Sequence, residues 1–172
     1  MDRRRLLHGL SCGLGLSMAG CVTPPQSDGR QPTVTRLAES TVTAFDDWLF
    51  ADAVTPATGA TTLVQIGSSA DSHWVIVFAD TAQPIDATIS ISRANGEPFY
   101  NETVAISVDT YAGFRFMAPG AYTVTVSSET SGGTVVVAAD FIDCNDSRQI
   151  IRLQSDGELS ESSLTEELAC EE

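Results

Sequence analysis

The chain has 172 residues and sets 23 acidic against nine basic side chains, a formal net charge of −14, and every one of the nine is arginine. So few cations cannot neutralise a run of phosphates, and no nucleic acid is expected as a partner. The length suits one domain that buries roughly 70% of its extended-chain surface.

The chain opens on Arg3-Arg4-Arg5, followed by an apolar run from Leu6 to Gly20 that ends in Met18-Ala19-Gly20-Cys21. A basic head, an apolar middle and small residues before a cut site are the parts of an export signal. The run is too short and too rich in glycine to serve as a permanent span of a hydrocarbon core ~30 Å thick. Arg3 and Arg4, followed by Leu6 and Leu7, resemble the twin-arginine signal, which directs already folded cargo to its translocase; His8 stands where a lysine is usual. Met18-Ala19-Gly20-Cys21 resembles a lipobox, with methionine where leucine is commoner. That resemblance implies a signal peptide over residues 1–20, a lipid on the Cys21 thiol, and retention on the outer face of the membrane. Pro24, Pro25 and Pro32 make residues 21–32 a flexible or extended tether.

Without its signal the chain keeps six arginines against 22 carboxylates and has no lysine. Such a domain repels itself at ordinary ionic strength. In molar salt, where the Debye length is about 3 Å, the repulsion is screened. The composition resembles that of proteins from salt-loving archaea.

Residues 33–172 read as the folded domain, with an N-terminal extension over 33–60 that no single period describes. The β-branched residues near Val34 favour a short strand, and Phe45 to Leu49 a helical turn. Asp46, Asp47 and Asp52 read as a solvated face. From Thr61 the period is two. Strands are predicted at Leu63–Ile66, Trp74–Phe78, Ala87–Ser92, Phe99–Val108, Phe114–Phe116, Tyr122–Val126, Thr134–Val137 and Ile150–Leu153. Asn95-Gly96, Pro119-Gly120 and Gly132-Gly133 supply the turns. Seven or eight short strands argue for an all-β antiparallel sandwich. The capping-box pattern Ser163-Leu164-Thr165-Glu166 predicts a short C-terminal helical turn.

Asp80-Thr81-Ala82-Gln83-Pro84, Asn95-Gly96-Glu97, Tyr100-Asn101-Glu102-Thr103-Val104 and Pro119-Gly120-Ala121-Tyr122-Thr123-Val124-Thr125-Val126 resemble the immunoglobulin-like domains of haloarchaeal exported lipoproteins, over about Trp74 to Leu159. The resemblance implies fold rather than activity. It implies a core role for Tyr122 at the corner between two strands.

Cys144 and Cys170 form an even pair in an exported domain and read as a disulfide, with free thiols or part of a metal site as alternatives. A blue-copper centre needs two histidines and a thiolate. Beyond the signal there is one histidine, His73, so copper fails on ligand count and no cofactor or metal is expected. Asp140, Asp143, Asn145 and Asp146 crowd one stretch but lack the calcium-loop pattern. Asn101-Glu102-Thr103 and Asn145-Asp146-Ser147 are N-glycosylation sequons.

His73 beside Ser72 and Asp71 could act as a general base, but no nucleophile-elbow pattern accompanies it, and it reads as a strand-edge histidine. The expectation is a non-catalytic binding or structural module that meets an envelope protein or glycan. A small hydrolase or metal-dependent enzyme with a site around His73 is the alternative. A two-lobed solute-binding protein would need a longer chain.

Overall fold

A computed structural model of the chain describes residues 30–38, 59–94, 96–156 and 158–166. The export signal, Cys21, the tether up to residue 29, the helical turn expected at Phe45 to Leu49, Asn95 and Cys170 lie outside the described residues.

Ten strands form an immunoglobulin-like β-sandwich: β1 Val34–Arg36, β2 Gly59–Ile66, β3 His73–Ala79, β4 Ile85–Arg93, β5 Pro98–Ile106, β6 Thr110–Phe116, β7 Tyr122–Ser127, β8 Gly132–Val137, β9 Asp146–Leu153 and β10 Leu159–Glu166. One sheet has six strands in the order β1-β2-β6-β3-β9-β10, and the other has four in the order β5-β4-β7-β8.

The alternation of Ala87-Thr88-Ile89-Ser90-Ile91-Ser92 and of Tyr122-Thr123-Val124-Thr125-Val126 sends one row of side chains into the sandwich. Ala87, Ile89, Ile91, Tyr122, Val124 and Val126 are all fully buried. Across the interface they meet Phe114 and Phe116, with the Phe116 ring 4.9 Å from that of Tyr122 and the Phe114 ring 5.4 Å from that of Tyr100.

Tyr122 holds the corner role that the resemblance implies. Its ring is buried and its Oη donates to the Ala118 carbonyl at 2.7 Å, tying the start of β7 to the turn before it.

Three expectations need correction. The larger sheet is mixed rather than purely antiparallel: β2 pairs with β6 in parallel and β3 with β9 in parallel. Such pairs join strands whose connection crosses to the other sheet and back, a long-range arrangement that period-two patterning does not record. Among the described residues the strands number ten, more than the seven or eight expected.

The C-terminal segment is strand β10, not a helical turn. It pairs antiparallel with β9 from Leu159↔Leu153 to Glu166↔Asp146. Eight residues of backbone pairing outweigh a capping signal whose helix would have few apolar residues to bury.

Candidate functional site

His73 opens β3 in the interior of the six-stranded sheet, between Phe116 of β6 and Ser147 of β9. It is only 1% exposed, which replaces the expected strand-edge position. Nδ1 lies 2.7 Å from Ser147 Oγ and Nε2 lies 3.1 Å from Gln149 Oε1.

The Gln149 amide nitrogen donates to the Val136 carbonyl at 3.1 Å and to Glu161 Oε1 at 3.0 Å, which leaves its oxygen as the acceptor towards His73. The neutral ring that fits carries its proton on Nε2 and accepts at Nδ1 from Ser147. The Phe141 carbonyl, 2.9 Å from Ser147 Oγ, competes with Nδ1 for the single hydroxyl proton. Burial pushes the His73 pKa down to about 4, against the smaller opposing effects of the Gln149 hydrogen bond and the Asp143 charge.

The serine beside His73 is itself 3% exposed, and Ser72 and Asp71 form no hydrogen bond with the ring among the described residues. A general base must reach a substrate proton at hydrogen-bond distance, and both ring nitrogens here are taken by the fold. The network joins β3, β9 and β10 to β8 of the opposite sheet, a structural role that the sequence did not reveal because its partners lie 74 and 76 positions away.

The acidic stretch resolves into a turn. Asp143 Oδ1 accepts the Asn145 backbone N–H at 2.9 Å, and Asp143 Oδ2 accepts from Asn145 Nδ2 at 2.8 Å. Among the described residues no group of three or more His, Cys, Asp or Glu could hold a metal ion. Cys144 is engaged in a disulfide, while its expected partner Cys170 lies outside the described residues.

The two sequons differ in setting. Asn101 is exposed on β5, the edge strand of the four-stranded sheet, and Thr103 beside it is exposed as well. Asn145 spends its amide on Asp143, and Ser147 of the same sequon is the buried partner of His73.

Asn101 also belongs to a larger feature. The side chains that alternate with the core residues of β4, β5, β7 and β8 form the outward face of the four-stranded sheet. Register aligns Thr103, Thr88 and Ser127 in one row and Asn101, Ser90, Thr125 and Thr134 in the next. The Thr88 and Thr103 hydroxyls bond to each other at 2.8 Å, and those of Thr125 and Thr134 at 3.2 Å. These rows hold no ionisable side chain, on a chain of net charge −14. The alternation at Ala87–Ser92 and Tyr122–Val126 marks a Ser/Thr surface row in β4 and in β7; only the registers show that these join residues of β5 and β8 in one uncharged plane.

Compared with protein-family models and with curated proteins, the chain matches none.

Proposed function

We propose that the chain is a lipoprotein anchored through Cys21 on the outer face of the membrane, whose immunoglobulin-like domain is a non-catalytic binding module for an envelope protein or glycan. The observation that carries the reading is the hydroxyl plane on the four-stranded sheet. Burying an unpaired carboxylate is expensive, whereas Ser, Thr and Asn can trade water for a partner's carbonyls and hydroxyls at little net cost. A partner therefore meets little resistance on this sheet face, whose central rows hold no carboxylate. A pairing of Cys144 with Cys170 belongs to the same proposal, as does the halophilic origin suggested by the acidic, lysine-free composition.

The test is binding of the purified Cys21→Ser protein to isolated cell envelopes in molar salt. Thr103→Glu with Thr125→Glu should abolish saturable binding while leaving the fold intact; undiminished binding would refute the assignment to this face. In the cell, Cys21→Ser should release the protein to the medium, and continued membrane retention would argue against the lipid anchor. Turnover of any substrate that depends on His73 would overturn the non-catalytic reading.

A further inference from the structure

We propose that the partner met by the hydroxyl plane is a second copy of this chain, so that two domains pair face to face through their four-stranded sheets. The inference rests on the binding-module reading and names the occupant of that same face. Register carries the plane one row further: β4 and β7 align Ser92 with Thr123, and β8 adds Val136 beside Thr123. Val136 is 58% exposed, and among the described residues Val34 is the only other exposed large apolar side chain. Carboxylates surround the face without entering it. Asp86 precedes Thr88 on the same side of β4, Glu129 lies in the turn between β7 and β8, and Glu97 in the turn between β4 and β5, all three exposed. The patch has a neutral interior and an acidic rim.

Charge is the first reason to assign that interior to the same chain. A cationic partner would be held by carboxylates, and a chain with 23 acidic residues has them to offer, yet these rows contain none. Clearing a face of negative charge helps only a partner that is itself neutral or acidic. In molar salt the long-range repulsion between two copies is screened within about 3 Å, so the charges at contact decide which faces can meet.

Self-complementarity is the second reason. A two-fold contact sets a patch against itself, so its donors must find acceptors in an identical surface. Carboxylates offer acceptors alone, whereas a hydroxyl offers one proton and two lone pairs. The Thr88–Thr103 pair uses one of its two protons internally, as does Thr125–Thr134, and each pair keeps a donor and acceptors for a partner. A sugar ring is gripped chiefly by stacking on an aromatic face, and these rows hold no aromatic side chain. At ~4.8 Å per strand and about 6.8 Å per row, four strands and three rows cover roughly 400–500 Å² per copy, about 1,000 Å² for the pair with its rim, the lower end for a specific interface. Pairing in free solution is therefore weak, and two copies anchored through Cys21 on one membrane gain what it lacks in effective concentration.

The test uses the full chain carrying Cys21→Ser, in molar salt and free of N-glycans because Asn101 lies in the middle row. Sedimentation equilibrium should show a reversible monomer–dimer system, with dimer present by a concentration on the order of 1 mM. Thr125→Glu and Thr125→Arg, each alone, should weaken dimerisation at least about tenfold by setting like charges against each other, and an equimolar mixture of the two should restore it, with circular dichroism unchanged throughout. The restored mixture distinguishes a shared face from a variant that misfolds. A chain still monomeric at that concentration, or a dimer indifferent to both substitutions, would overturn the proposal. Envelopes from cells deleted for the chain should no longer bind it. Binding that persists on them would assign the face to another envelope protein or to a glycan, refuting the second copy while the binding-module reading stands. A dimer in solution with no binding to parent envelopes would instead count against the envelope reading and leave the pairing in place.

Discussion

Nδ1 of His73 and the hydroxyl of Ser147 meet at 2.7 Å across the parallel pair of β3 and β9, and this contact makes the ring a stitch within the sheet rather than a base facing solvent. A ring held with a pKa near 4, against 6.5 when unfolded, binds fewer protons in the folded state throughout the interval between them. The unfolded chain takes up the proton first, so the stabilisation is fully present above about pH 6.5 and is lost progressively as pH falls towards 4. The full difference corresponds to roughly 3 kcal/mol. Acidification also discharges carboxylates and relieves repulsion, an effect of opposite sign, so the comparison must be with His73→Gln. Urea melts of both proteins across this range should show that the variant lacks the His73 contribution to the slope. Parallel curves would contradict this account.

Tyr122→Phe keeps the buried ring and removes only the hydrogen bond to the Ala118 carbonyl. The loss should be about 1 kcal/mol, read as a lower urea midpoint at unchanged slope. A silent substitution would mean that water replaces the hydroxyl at the corner.

Gly67 follows β2 with φ at +89°, and a Cβ there would come within 2.5 Å of the Ala118 backbone nitrogen. Its N–H donates to the Thr33 carbonyl at 2.8 Å, so the same residue fastens the incoming chain. Gly67→Ala should cost at least about 2 kcal/mol, since positive φ and a backbone clash add together. A thermal melt within a degree of the parent would show that the turn relaxes freely.

If a glycan is attached, the exposed Asn101 should carry it and Asn145 should not, since Asn145 and Ser147 are both engaged inside the fold. Intact mass of the protein from its native host should fall by a saccharide increment in Asn101→Gln and stay unchanged in Asn145→Gln. Because Asn101 sits in the hydroxyl plane, a sugar there would cover the proposed binding rows. Asn101→Gln should then raise envelope binding, not lower it.

Much of the sandwich was legible because its strands have one wet and one dry face: Ala87 to Ser92 and Tyr122 to Ser127 announce both strand and orientation. β10 was not, because Leu159-Ser160-Glu161-Ser162-Ser163 lacks an apolar row and owes its conformation to backbone bonds with β9. The place of His73 escaped for a related reason. Residues 73 and 147 become neighbours only through a parallel pairing, and nothing local to either one records it. The hydroxyl plane lies between these cases, since each row is visible in its own strand and the plane exists only in the register.

Strand β1 has only three residues, and all three are exposed. It pairs with β2 from Val34↔Ile66 to Arg36↔Val64 and reaches β5 through the exposed Arg36–Glu102 ion pair. If residues 21–32 tether the domain to a lipid on Cys21, as proposed above, tension drawn through them is borne first by this short ladder, which contributes none of its side chains to the buried core. Under load it should peel away as a mechanical fuse, lengthening the leash by several residues while the two sheets and the hydroxyl plane keep their shape.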